Sequence, residues 1–145
     1  MKKIISLFVL TVTFASCSED VTFNSPAFQA TKNGAFWKAN STDTYSDPTG
    51  ITITGMVGTD IVTLHTSSNA PGTYILGVNE VNKATYESLD GEGTLYETGA
   101  GIGSGKITIA PGGTITGKFE FIAEDEEGNE VNFTKGDFYQ VPSRY

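Results

Sequence analysis

Cysteine is almost absent: Cys17 is the only one in 145 residues. An intramolecular disulfide is excluded, and a thiolate zinc site with it. Histidine is equally scarce, so a metal at His65 would need carboxylates for its other ligands, and neither metal nor cofactor is expected. Basic residues are few, 9 Lys+Arg against 17 Asp+Glu, for a net charge of −8. Such a surface repels phosphate backbones and anionic head groups, so no nucleic-acid partner is expected. Helical periodicity is missing as well. From Phe28 onward no stretch keeps the i, i+3, i+4 spacing that three turns require. The apolar run Ile4 to Ala15, interrupted by Ser6, Thr11 and Thr13, falls short of the about 20 residues that span a bilayer.

That short run has another reading. Met1-Lys2-Lys3 supplies a positive start, and Ala15-Ser16 places small residues ahead of Cys17. Phe14 suits ordinary secretory cleavage badly at the third place before the cut, whereas the flanks of Cys17 fit a lipoprotein signal. Residues 1–16 are therefore expected to be a signal peptide, and Cys17 the lipidated N-terminus of the mature chain. Each buried methylene contributes ~0.8 kcal/mol, so two or more palmitate-type chains anchor a protein stably. The membrane, contacted through lipid, is the expected partner. Residues 17–27 read as the lipidated cysteine and a flexible tether, whose ten residues after the cysteine reach roughly 33 Å when extended. Residues 28–145 read as one domain.

Within that domain apolar residues alternate with polar ones. Ile51 and Ile53, Val62 and Leu64, Ile107 and Ile109, Phe119 and Phe121, and Val131 and Phe133 each share a face, and Tyr74, Leu76 and Val78 are expected to do so. Val57-Gly58-Thr59-Asp60, Ala110-Pro111-Gly112-Gly113, Glu127-Gly128-Asn129 and Lys135-Gly136-Asp137 carry turn chemistry at hairpin spacing. The expected fold is all-β: an antiparallel β-sandwich or flattened meander barrel of about nine or ten short strands. Its core is expected to hold Phe36 or Trp37 with Tyr74, Tyr86, Phe119, Phe121, Phe133 and Phe138.

Phe28-Gln29-Ala30-Thr31-Lys32-Asn33-Gly34 with Trp37-Lys38-Ala39, Pro71-Gly72-Thr73-Tyr74-Ile75-Leu76, Ala84-Thr85-Tyr86, Gly105-Lys106-Ile107-Thr108-Ile109, Gly117-Lys118-Phe119-Glu120-Phe121 and Thr134-Lys135-Gly136-Asp137-Phe138 carry a resemblance. Together they resemble the short all-β lipoproteins of unknown function of flavobacteria and other Bacteroidota. The resemblance implies an outer-membrane lipoprotein and brings no activity and no site residues. Ser18-Glu19-Asp20, after Cys17, resembles the acidic export signal of such lipoproteins, which implies display at the surface, with a periplasm-facing position as the alternative.

Motifs that suggest chemistry fail on detail. Gly99 to Lys106 is glycine-rich, but Ile107 stands where a phosphate loop needs a hydroxyl, and the segment continues as a strand. Glu124 to Glu130 resembles a calcium loop, yet counting back from Gly128 puts Ala123 at the first ligand position, which leaves only irregular binding open. His65 lacks a nucleophile elbow nearby, so a hydrolase built on it is the least favoured reading. Glu87, Glu97 and Glu120 could pair for sugar hydrolysis only if the fold brings two together. Trp37, Tyr45, Tyr96 and Tyr139 alternate with polar neighbours and are the candidate contacts for envelope proteins or glycans. The expectation is a non-enzymatic binding or surface-assembly module. The alternative is a carrier of a small apolar ligand in a barrel lined by Tyr74, Phe119 and Phe121.

Overall fold

A computed structural model describes residues 27–101 and 103–142. Cys17, the leader and nearly all of the tether lie outside them. The described chain forms β1 (Ala27–Lys32), β2 (Ala35–Lys38), β3 (Ser41–Asp47), β4 (Gly50–Val57), β5 (Asp60–Thr66), β6 (Gly72–Leu76), β7 (Lys83–Ser88), β8 (Thr94–Glu97), β9 (Ser104–Ile109), β10 (Ile115–Glu124) and β11 (Glu130–Val141). No helix occurs among the described residues. All eleven strands belong to one antiparallel sheet curled into a half-barrel. The order is β2-β1-β11-β10-β8-β7-β5-β4-β3, with β9 also on β10 and β6 on β9.

Short turns set this meander. Asn33 (φ 47°) and Gly34 (φ 83°) join β1 to β2, both in the left-handed region that a two-residue hairpin favours. Gly58-Thr59 joins β4 to β5, and the Asp47 carboxylate accepts Thr49 N–H (2.7 Å) to close the turn from β3 to β4. The end strands β2 and β3 follow each other in sequence. Between them Ala39 N–H donates to Phe28 O on β1 (2.9 Å) and Asn40 N–H to Met56 O on β4 (2.7 Å). Two residues thus tie the two ends of the sheet together, which enforces the curl.

Alternation places the core as expected at Ile51, Ile53, Val62, Leu64, Ile107, Ile109, Phe119, Phe121, Val131 and Phe133, all buried. Val78 departs from the expected face. The strand ends at Leu76, and Val78 lies exposed in the turn that follows. Lys135-Gly136-Asp137 is likewise not a hairpin turn but lies inside β11. The register there slips against both neighbours, from Phe121↔Phe133 to Phe119↔Gly136 and from Thr31↔Thr134 to Gln29↔Asp137. Lys135 (φ 50°) absorbs the extra residue as a β-bulge. The bulge explains how Phe133 and Phe138, five apart and so of opposite parity, are both buried. Gly136 is required beside it, because a Cβ there would meet the Phe119 ring.

The rings fill the interior. Phe121 stacks on Phe133 (centroids 4.8 Å) and Phe119 lies against Phe28 (5.0 Å), while Trp37 meets Phe28 and Phe133 edge-on at 5.8 and 5.9 Å.

Candidate functional site

One charged constellation reaches towards the interior. Lys32 ends β1, Asp60 opens β5 after the Gly58-Thr59 turn, and Tyr86 stands on β7 beside it. Lys32 Nζ donates to Asp60 Oδ2 and to Tyr86 Oη, each at 2.8 Å, and lies 4.6 Å from the Tyr86 ring centre. Burial opposes both charges, but the contacts outweigh it. Asp60 is held below the usual carboxylate value and Lys32 above the usual ammonium value, chiefly by the hydrogen bond they share. The indole N–H of buried Trp37 contributes to the same carboxylate from outside hydrogen-bond geometry. Lys32 is protonated at neutral pH and so is no nucleophile, and Oδ2 of the Asp60 carboxylate is taken up by the bond from Lys32. What they do is clasp β1 to β5 and β7 across the curl.

A concavity of about 750 Å³ lies outside, between β8 and the β10–β11 hairpin. Leu95 and Tyr96 contribute its apolar surface, and Glu92, Glu97, Glu124, Asp125, Glu126 and Glu127 surround it. Glu124 stands directly opposite Glu97 on one side and Glu130 on the other. Three like charges in a cross-strand row destabilise a sheet. Asp125 has a different task. Its carboxylate accepts Glu127 N–H (2.9 Å), Asn129 N–H (2.8 Å) and the Asn129 side-chain amide (2.8 Å), which closes the hairpin. These bonds, that of the Asn129 side chain foremost, lower its pKa. Among the described residues no group of three or more His, Cys, Asp or Glu is placed to hold a metal ion.

The four candidate aromatic contacts do not form one surface. Trp37 is only 6% exposed: on β2 it pairs with Ala30 on the core side, so Phe36, its neighbour, points outward at 72% exposure. The expectation of an exposed Trp37 is therefore corrected. Adjacent aromatics on a strand must face opposite ways, and only the pairing with β1 decides which goes in. Tyr45 is exposed on β3. Tyr96 is half-buried against Tyr86 (5.6 Å) and borders the acidic groove, and Tyr139 is half-buried on β11 opposite Ala27.

The remaining candidates stay apart. His65 shares the outer face with Thr52, whose hydroxyl lies 3.0 Å from Nδ1. Glu120 is paired with Lys106 (3.4 Å), Glu87 stands opposite Leu95, and Glu97 stands opposite Thr85 and Glu124. Phe119 and Phe121 sit inside the ring stack, and Tyr74 Oη donates to Ala70 O (2.6 Å). Phe119 borders a surface concavity that neither Tyr74 nor Phe121 lines. The glycine-rich segment leads into β9, as a strand and not a helix.

Residues 24–142 match a family described as a domain of unknown function, DUF6252. The chain belongs to that family. No curated protein and no solved structure matches it. The match to DUF6252 spans the whole described sheet, including the clasp and the groove, and assigns neither a role.

Proposed function

We propose that this DUF6252 protein is a non-enzymatic binding module of the cell envelope, anchored in the outer membrane through acyl chains on Cys17. In this reading the acidic groove receives a positively charged segment of another envelope protein. The observation that supports it is the row Glu97, Glu124, Glu130. A sheet selected for stability alone places opposite charges across such positions, so a like-charged row that lowers stability is best explained by what it binds. Leu95 and Tyr96 supply apolar contact beside those charges. The stacked interior and the clasped lysine both direct contact to the outside of the barrel.

The test uses a labelled oligolysine peptide and the double variant Glu97→Gln, Glu124→Gln. Binding should weaken and lose much of its salt dependence. Thermal stability should rise at the same time, by about 0.5 kcal/mol, as cross-strand repulsion is relieved. Unchanged binding in a folded double variant would contradict the assignment of the groove.

A further inference from the structure

Three connections and a strand end converge at one end of the half-barrel. The β3–β4, β5–β6 and β9–β10 connections and the last residues of β11 surround a concavity of about 660 Å³ there. Its floor is the core itself, since Ile51, Ile109 and Val141 line it and all three are buried. Its rim is polar: Ser46, Asn69, Thr114 and Gln140 line it beside Gly112 and Gly113. Among the described residues that line it none is charged, although 18% of the chain is Asp, Glu, Lys or Arg. Gln140 reaches the rim from a second bulge. The register of β11 on β10 slips from Phe138↔Gly117 to Val141↔Ile115, Gln140 takes φ 48°, and its N–H donates to Thr116 Oγ1 (3.0 Å). Bulges recur at barrel rims, where they re-aim a side chain. Two residues in from Ser46 on β3, Thr44 Oγ1 is buried without a hydrogen-bond partner.

We propose that this mouth is a binding site for an uncharged sugar. The mouths of β-barrels are a preferred place for small-molecule sites, which join an apolar floor to a few polar groups within about 300–1,000 Å³. The lining decides the class of ligand. A hydrocarbon would strip water from the rim amides and hydroxyls without replacing their hydrogen bonds, and an ion would find no counter-charge. A pyranose meets both conditions. Its C–H face covers Ile51, Ile109 and Val141, while its hydroxyls exchange hydrogen bonds with Ser46, Asn69, Thr114 and Gln140. No aromatic ring lines the mouth among the described residues, so affinity rests on those hydrogen bonds and is expected to be weak. The site goes beyond the acidic groove, with which it shares no lining residue.

Saturation-transfer NMR suits weak binding, and the probes are neutral trisaccharides of glucose and of N-acetylglucosamine added to the full chain. At least one should bind saturably, and its signal should persist in excess oligolysine, which fills the groove instead. At Gly113 a Cβ would meet nothing within 4 Å, so Gly113→Phe fits and takes up space in the mouth. That variant should lose binding. Asn69→Ala, at an exposed position between β5 and β6, should weaken it about tenfold, as expected when a hydrogen bond or two is lost. Unchanged Trp37 emission shows that each variant is folded, and Asn69→Ala carries the comparison if Gly113→Phe is not. No saturable binding of either trisaccharide, a signal that oligolysine displaces, or undiminished binding in a folded variant would each overturn the proposal. Oligolysine binding reads the groove alone, so the two sites fail separately.

Discussion

Phe133→Ala should lower the free energy of unfolding by about 3–5 kcal/mol, the cost of removing a fully buried aromatic ring. The ring is 0% exposed and lies 4.8, 5.4 and 5.9 Å from those of Phe121, Tyr86 and Trp37. The surroundings have little freedom to close over the gap, because the bulge at Lys135 fixes the register of β11 against both neighbours. Trp37 is the single tryptophan and is buried against this ring, so its emission should report unfolding directly. Urea titration followed at Trp37 gives the difference. A loss below about 1 kcal/mol would mean that the stack is not the centre of packing.

Asp60→Asn should cost ~2 kcal/mol near neutral pH, below the ~3–5 kcal/mol of breaking a fully buried pair, because Lys32 and Asp60 keep 27% and 19% of their side-chain surface. The pH dependence follows from the direction of each shift. Asp60 titrates below its ordinary 3.8 in the fold, so its contribution is complete above 3.8 and is lost as pH falls through the lower folded value. Lys32 titrates above its ordinary 10.5, so its contribution is complete below 10.5 and is lost as pH rises through the higher folded value. The gap in melting temperature between wild type and variant should be flat between those limits and narrow beyond each of them. A gap unchanged in acid would show that the clasp does not hold the fold.

Much of the fold was legible because the period of two needs no knowledge of the partner strand. Ile51 and Ile53, or Phe119 and Phe121, declare their shared face locally. Phe138 does not, since its parity opposes that of Phe133 until the bulge at Lys135 intervenes, and that bulge exists only against β1 and β10. Lys135-Gly136-Asp137 has the composition of a turn for the same reason: a residue at positive φ beside glycine serves a bulge as well as a hairpin. The choice between Phe36 and Trp37 likewise belongs to register. The sites were less legible than the core. Lys32 and Asp60 are 28 residues apart on strands that meet only because the sheet curls. The Glu97–Glu124 opposition depends on one pairing at the end of β10. Asn33-Gly34, not among the turns read from the sequence, is a hairpin dipeptide and marks the β1–β2 turn.

Clasp, stack and groove describe the body of the protein; the proposal that it sits at a membrane rests on Cys17. Intact-mass analysis of protein purified from membranes, with Cys17→Ala fractionated in parallel, tests that place directly. The account predicts a chain beginning at Cys17 with the added mass of diacylglycerol and an acyl chain, and a Cys17→Ala variant that leaves the membrane fraction. An unmodified Cys17, or a Cys17→Ala variant that still sediments with membranes, would contradict it.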